Sequence, residues 1–562
     1  MKTYWATPKT PRHQLVLLAP SLDDMIAKND PLRQLDEIFD SLDWSEYERA
    51  YDGERGQPPI HPRYVAVAIY YGIMKGVRSS RRIEEATRKH IDFMWLLHGQ
   101  TIDHATVCKF RTRFVKALKG MFLQVNRQDL ERPDGRLTEL ALDGTRMRAC
   151  SDRHGARTAG WLEKRVAELQ AEMEEALREM GEQDVKDDPQ SATPEQLQRR
   201  LEKLQREQQR CEEALAVARQ RDEAKREKDG KDATPVRVPV TDPDAYILPN
   251  KEGGYAPNYT PVAAVDSATG IIVAADVLAD GSEAASVQPL MTQVREDFGR
   301  TPERLLCDSG FASGANQAAM EQQGIAMYAP VDTPVPEAHP ARRDDPSQPL
   351  PEERIASLPR VGSSGKFDRN AFLFDAKNDC YRCPMGRALP SHRQLSRNTR
   401  DGKVLYTEYQ SPDCTQCPLA DLCLSRKATR RIVNRDEFEG VRENTARRMA
   451  SEEGKAIYRR RAPEIEGTFG TVKGNMGIRA FLLRGLGKVR IEWLWICTAF
   501  NLKKLLKRMA TTVPPGPKRA ASCPQGRPSA DLTVKHTHRA ARFPNLAGRS
   551  DGFWAAQARL AA

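Results

Sequence analysis

Hydrophobic positions recur at helical spacing through the first 120 residues. Ser21 precedes Leu22, Met25 and Ile26, and the period continues through Leu32, Leu35, Ile38, Phe39 and Leu42, which predicts a helical lead-in with Ser21 as its N-cap. Pro58, Pro59 and Pro62 then interrupt the pattern. Three more helices are predicted over 64–75, 79–90 and 104–118, separated by Gly76 and by a turn at 99–103, with Asp103 capping the last. That last segment sets Lys109, Arg111, Arg113 and Lys116 around the apolar Val107, Phe110 and Phe114. Both an ordinary basic surface helix and a helix that enters a groove have this character.

From residue 137 the period shortens. Residues 140–145 read Leu-Ala-Leu-Asp-Gly-Thr, a short buried strand ending in Asp143. Two charged stretches follow, 161–180 (Leu162, Val166, Leu169, Met173, Leu177) and 197–218 (Leu197, Leu201, Leu204, Cys211, Leu215). Joined by the polar segment 184–194, they predict an antiparallel helical hairpin, which reads equally as a dimerisation arm or as an insertion. Strands resume over 259–265 and 270–275, around a turn at 266–270. A helix over 286–298 and an apolar strand ending in Asp308 come next. Residues 334–359 are proline-rich and polar, the mark of a flexible excursion. Residues 442–508 read as mostly helical, with Trp493, Trp495, Ile496, Phe500 and Leu505 as a buried face; from 511 onward Pro, Gly, Ala and Arg predict a disordered basic tail.

A chain of 562 residues exceeds one hydrophobic core, so two or three domains are expected. Lys and Arg number 88 against 77 Asp and Glu, a net charge of +11, which suits a polyanionic partner as well as it suits a merely basic surface. The run at 15–19 is too short for a secretory segment, and the longest apolar stretch, 493–500, is far below the roughly 20 residues of a membrane span. A cytoplasmic, nucleoid-associated protein with no membrane contact is expected. Of 11 cysteines, five lie between 380 and 423: Cys380 and Cys383, Cys414 and Cys417, and Cys423. Paired CxxC spacings in a reduced compartment point to a structural Zn2+ with four thiolates, leaving one over; the alternative is a set of inert buried thiols.

Two carboxylates at the ends of short apolar strands, Asp143 and Asp308, match what two-metal phosphoryl transfer requires. A third acid is expected on a later helix, and Glu466 lies in residues 458–473, Tyr-Arg-Arg-Arg-Ala-Pro-Glu-Ile-Glu-Gly-Thr-Phe-Gly-Thr-Val-Lys. Singly, an aspartate after a strand is more often a turn residue, and Asp266 reads that way.

Together these segments resemble the three catalytic motifs of the DDE transposases of bacterial insertion sequences. Pro59-Ile60-His61-Pro62, residues 76–84 and residues 103–106 are likewise similar to that family's amino-terminal DNA-binding region, so the resemblance spans roughly 20–505. It implies Asp143, Asp308 and Glu466 as ligands of two Mg2+ (or Mn2+) ions. It also implies Tyr458, Arg461 and Lys473 beside them, and Arg78, Arg81, Arg82, Lys109, Arg111 and Arg113 as DNA contacts. Lys473, seven residues after Glu466, should share its helix face and meet a phosphate. Four residues separate Arg461 from Glu466 where the commonest signature has three, which keeps Glu464 open as the third acid.

The implied fold is α+β, an RNase H-like mixed sheet flanked by helices. A helical DNA-binding domain (1–125) precedes a first core strand (136–155), a coiled-coil hairpin insertion (156–235) and the continued core (240–330). A linker (331–365), a cysteine-rich segment (366–430), C-terminal core helices (440–510) and the tail (511–562) complete it. Cleavage of element ends and strand transfer is the implied activity, with terminal inverted repeats and target DNA as partners and a homodimer on DNA. A DNA-binding derivative without catalysis and a nuclease that cuts without joining share the same residues.

Overall fold

The computed structural model describes residues 21–51, 58–131, 137–183, 193–229, 233–250, 253–399 and 402–512. Ser21 and its neighbours make a single 3-10 turn, Asp23–Met25. The first α-helix, α1 (Pro31–Ser41), starts instead at Asp30, whose carboxylate accepts from Leu32 N, with Pro31 pre-set at the first helical position. Helices α2 (Pro62–Met74) and α3 (Ser80–Lys89) follow, α3 capped by Ser79. Asp103 caps α4 (His104–Arg113) by accepting from Ala105 N and Thr106 N. The helix expected over 104–118 breaks at Phe114 (φ −109, ψ 53) and restarts as α5 (Val115–Leu130). The break turns the Phe114 ring against Tyr47, Tyr51 and Phe110, which a continuous helix would not allow.

The central sheet is built from β1 (Glu139–Gly144), β2 (Tyr255–Asp266), β3 (Ile272–Leu278), β4 (Arg304–Leu306) and β5 (Ala326–Tyr328). Its order is β3-β2-β1-β4-β5; the first three run antiparallel, and β4 and β5 run parallel to β1. Short strands at 147–148 and 246–249 extend the far end of β2. Between β1 and β2 the chain runs out into the expected hairpin, α6 (Ala159–Gln183) and α7 (Pro194–Asp229), with its own apolar seam of Leu162, Leu169, Leu204, Cys211 and Leu215.

Period-two alternation divides the sheet's side chains between two cores. Leu140, Leu142, Leu305 and Cys307 meet Val287, Leu290, Met291 and Val294 of α8 (Val287–Phe298) on one face. Ala141, Ala263, Val265 and Ile272 meet the N-terminal helices and the last helix on the other. Helix α9 (Gly314–Gln322) joins β4 to β5.

The proline-rich stretch expected to be a flexible linker instead buries Ala341, Leu350, Ile355 and Leu358 in a third core with Phe367, Phe372, Tyr381 and Tyr409. That core lies on a second, antiparallel sheet in sequential order: β6 (Leu373–Asp375), β7 (Cys380–Arg382), β8 (Ala388–Thr399), β9 (Gly402–Gln410) and β10 (Ile432–Asp436). Helices α10 (Glu439–Ala450), α11 (Glu452–Arg459) and α12 (Arg461–Gly470), a π-turn (Thr471–Asn475) and α13 (Leu486–Thr512) close the chain.

Helix α13 packs back under the N-terminal helices. Tyr70 and Trp495 rings lie 4.5 Å apart, Arg78 pairs with Glu492 at 2.6 Å, and Arg508 pairs with the buried Asp129 at 2.7 Å. The N-terminal helices therefore share a core with α13 and the central strands rather than standing as a separate body, and the described residues form one compact unit. The expected tail beyond 512 and most of the 184–194 loop lie outside the described residues. Among the described residues no helix is long and apolar enough to cross a membrane.

Candidate functional site

Parallel pairing sets β1 and β4 side by side, Leu140 opposite Leu305 and Ala141 opposite Leu306. Asp143 has the same parity as Ala141, and Asp308 the same parity as Leu306, so both acids emerge at the carboxyl ends of neighbouring strands, away from the α8 core. Each is fixed by its own backbone: Asp143 Oδ1 accepts from Gly144 N at 2.8 Å, and Asp308 Oδ1 from Gly310 N at 2.9 Å. Arg461, at the start of α12, reaches between them. Its guanidinium lies 3.2 Å from Asp143 and 3.9 Å from Asp308, with 12 % of the side chain exposed. Tyr458, one turn earlier, is half-buried beside the same acids, and its burial raises the phenol's pKa above the ordinary value.

A third carboxylate belongs to this cluster and was not singled out from the sequence. Glu283, in the 3-10 turn Glu283–Ser286 that leads into α8, sits against both strand ends. A Cβ on Gly144 would stand 2.8 Å from its Oε1. One on Gly310 would stand 3.3 Å from its Oε2 and 3.1 Å from Asp308 Oδ1. Burial chiefly raises the Glu283 pKa, opposed by Arg146 (Nη1 at 3.4 Å from Oε1) and reinforced by Asp308 and Asp143. The sequence signal was faint: an acid in a Gly-Ser-Glu turn after β3, with no motif around it.

The acids on α12 are placed differently. Glu464 accepts from Ser267 Oγ at 2.6 Å, beside Glu139 at the opposite end of β1, so it faces away from Asp143. Glu466 is exposed, and no ion pair of the described residues engages it. Lys473 does not share a regular helix face with it, because the π-turn at 471–475 widens the helix and breaks the 3.6-residue period. The Lys473 ammonium turns back to β1 instead, donating to Thr145 Oγ1 at 2.5 Å and Arg146 O at 2.8 Å.

Hard oxygen donors flanking a cation suit Mg2+ or Mn2+, and here the Arg461 guanidinium supplies that positive charge. Among the described residues no three His, Cys, Asp or Glu side chains already stand in metal-ligand geometry. Beside the acids opens a cleft of about 840 Å³ lined by Arg146, Arg148, Arg153, Lys473 and Arg479 against one acid, Asp152.

The expected cations of the N-terminal helices divide into two groups. Arg78 is held by Glu492 of α13, and half-buried Arg111, its pKa lowered by burial, donates to Arg78 O while its own carbonyl accepts from Trp495 Nε1 of α13. Arg81, Arg82, Lys109 and Arg113 are exposed, Arg113 stacking on Tyr51 and Phe114. In the second sheet, Cys383, Cys414, Cys417 and Cys423 line one small cavity, whereas Cys380 lies within β7, paired across to Asp375 and Pro390.

Residues 382–506 match the family model of the transposase DDE domain, and residues 20–113 match that of a transposase domain, DUF772. The first match contains Tyr458, Arg461, Glu466 and Lys473 together with the cysteine-bearing sheet from residue 382 on; the second covers α1 to α4. No curated protein matches the chain. The two matches in one chain indicate a DDE transposase of an insertion sequence.

Proposed function

We propose that this protein cuts the ends of an insertion sequence and joins them to target DNA, on an RNase H-like core whose reacting phosphate lies over Asp143 and Asp308. The observation that carries this reading is the convergence of the two aspartates, from strands far apart in sequence, onto one cation-binding point beside Arg461. The strand order and senses of the central sheet support the RNase H-like assignment. Asp143 and Asp308 would hold the divalent ions, with Glu466 as the third acid by its place in the family motif. A divalent ion held by these residues would supply charge neutralisation of the phosphodiester and acidification of the attacking water or 3'-hydroxyl.

The protein's own residues supply positioning. Arg461 and Tyr458 present a guanidinium and a phenol beside the acids, matched to phosphate oxygens. Lys473 pins the residues after Asp143, so its carboxylate leaves a braced strand end. The cleft of Arg146, Arg148, Arg153 and Arg479 continues from that end and offers the backbone of DNA a row of cations. Glu283 is read as a further acid of the reacting site. Arg81, Arg82 and Lys109 remain the exposed cations of the N-terminal module for end recognition. A homodimer on DNA follows from the need to act at two ends, and the α6–α7 hairpin is the candidate contact.

The test is a cleavage and strand-transfer assay with Mg2+ and labelled element ends. Asp143→Asn and Asp308→Asn should bind these ends but neither cut nor join. Glu466→Gln and Glu283→Gln, assayed in parallel, rank the two glutamates. Full cleavage by Asp143→Asn sinks the site, and a wild-type protein that binds without cutting sinks catalysis.

A further inference from the structure

At one corner of the second sheet's core a small cavity is left between apolar side chains. Four cysteines, from three pieces of chain, line that corner without yet standing in metal-ligand geometry. Cys383 follows β7 in a tight turn, where Gly386 N donates to Cys383 O at 2.9 Å and Cys383 N to Arg387 O at 3.0 Å. Gly386 takes φ 78, and a Cβ there would strike Ser347 O, so the turn admits only glycine. Cys414 and Cys417 form a second turn, Cys417 N donating to Cys414 O at 3.1 Å, and Cys423 ends the short helix Ala420–Cys423 that follows.

All four line one cavity of about 20 Å³, walled by Phe367, Phe372 and Leu389. Cys380 is excluded, since the two ladders of β7 hold it between Asp375 and Pro390. The sequence pairing of two CxxC units is thus broken in space: one cysteine of the first unit, both of the second and the later Cys423 form the quartet.

We propose that Cys383, Cys414, Cys417 and Cys423 bind a structural Zn2+ ion, with Cys380 outside the site. Tetrahedral coordination by four thiolates is one of the closed arrangements of structural zinc, and two ligands from a CxxC turn with one from each of two other segments suit it. On binding, each thiol releases its proton to solvent and its sulfur forms a bond to the metal, so the site carries a net charge of −2. Arg387 and Arg431 line the same cavity, and Arg343 donates to Cys383 O at 2.8 Å, a cationic surround that offsets this charge. The ion would tie the β7–β8 turn to the β9–β10 connection.

The experiment is metal analysis of the full-length protein purified under reducing conditions, with Cys380→Ser and Cys414→Ser variants. One zinc per chain is expected in the wild type and in Cys380→Ser, and none in Cys414→Ser. Because Cys414→Ser can fail to fold, Co2+ exchange into the wild type and Cys380→Ser provides a second reading: both should give the same tetrahedral, thiolate-rich cobalt spectrum. A zinc-free wild type with titratable thiols, a disulfide within the quartet, or loss of the cobalt spectrum in Cys380→Ser each overturns the proposal.

Discussion

Arg461 bridges the two strand-end aspartates, and replacing it by Gln isolates that contact. The side chain bridges Asp143 at 3.2 Å and Asp308 at 3.9 Å, and the three side chains are 12 %, 18 % and 41 % exposed. Breaking a fully buried pair costs about 3–5 kcal/mol, and an exposed pair is worth at most about 1 kcal/mol. Partial exposure of the acids puts Arg461→Gln between these limits, at about 2 kcal/mol, a shift of roughly 30-fold in the folding equilibrium. Urea melts of wild type and variant in EDTA at neutral pH should show that loss. Excess Mg2+ should stabilise the variant more than the wild type, since a divalent ion supplies the charge that the guanidinium no longer provides and binds the folded state alone. Equal stability in EDTA would refute Arg461 as the bridge, and equal Mg2+ stabilisation of both proteins would refute the acid pair as a cation site.

Three further outcomes are expected. Gly144→Ala places a methyl group 2.8 Å from Glu283 Oε1 and 3.2 Å from Val262 Cγ1. Because the carboxylate end can swing aside, stability should change by no more than about 1 kcal/mol while cleavage falls at least as far as in Glu283→Gln; unchanged cleavage removes Glu283 from the site. Asn501 is 1 % exposed and accepts from Ile272 N at 2.8 Å while donating to Asn126 Oδ1 at 2.6 Å and Ile272 O at 2.7 Å. Asn501→Ala orphans at least two buried groups, a cost of about 2–5 kcal/mol in a urea melt, and a loss below about 1 kcal/mol would show that the contact between α13 and β3 carries little.

Burial pushes the His339 pKa down to about 4 from 6.5. The folded protein therefore keeps this ring neutral while the unfolded chain takes up a proton, so stability is lost as pH falls from 6.5 toward 4 and levels off below. His339→Asn retains an acceptor for Ala341 N and should remove that part of the acid loss, at most about 3 kcal/mol; identical pH profiles would contradict it.

Short-range rules accounted for most of the helices and for the two strand-end aspartates. Asp103 before His104, Ser79 before Ser80 and the apolar runs into Asp143 and Asp308 depend on neighbours a few residues away, and the structure keeps each in that role. Asp266 likewise behaves as a turn residue, accepting from Thr269 N and Oγ1 beside Gly270 in the left-handed region.

Contacts across the chain decided the rest. Ser21 caps only the short turn at Asp23–Met25, its Oγ accepting from Asp24 N while its own N donates to Asp24 Oδ2, whereas α1 starts at Asp30-Pro31; and the 104–118 helix breaks where Phe114 joins an aromatic cluster. The proline-rich stretch and the cysteine sheet carry no clean period, since their apolar residues are spread singly over short strands whose partners lie up to tens of residues away.

The same limit applies to the site. Residue identity and motif order brought Asp143, Asp308, Tyr458 and Arg461 to notice. Only tertiary structure could place Arg461 between the two aspartates, add Glu283 from a turn without a motif, and turn Glu464 toward Ser267. It likewise divided the cysteines by burial partners rather than by spacing, and it set Arg78 and Arg111 inside the molecule, where charge counted along the sequence would have put them on its surface. Sequence spacing specifies which side chains leave one element together, whereas convergence between elements follows from how separate faces bury against one another.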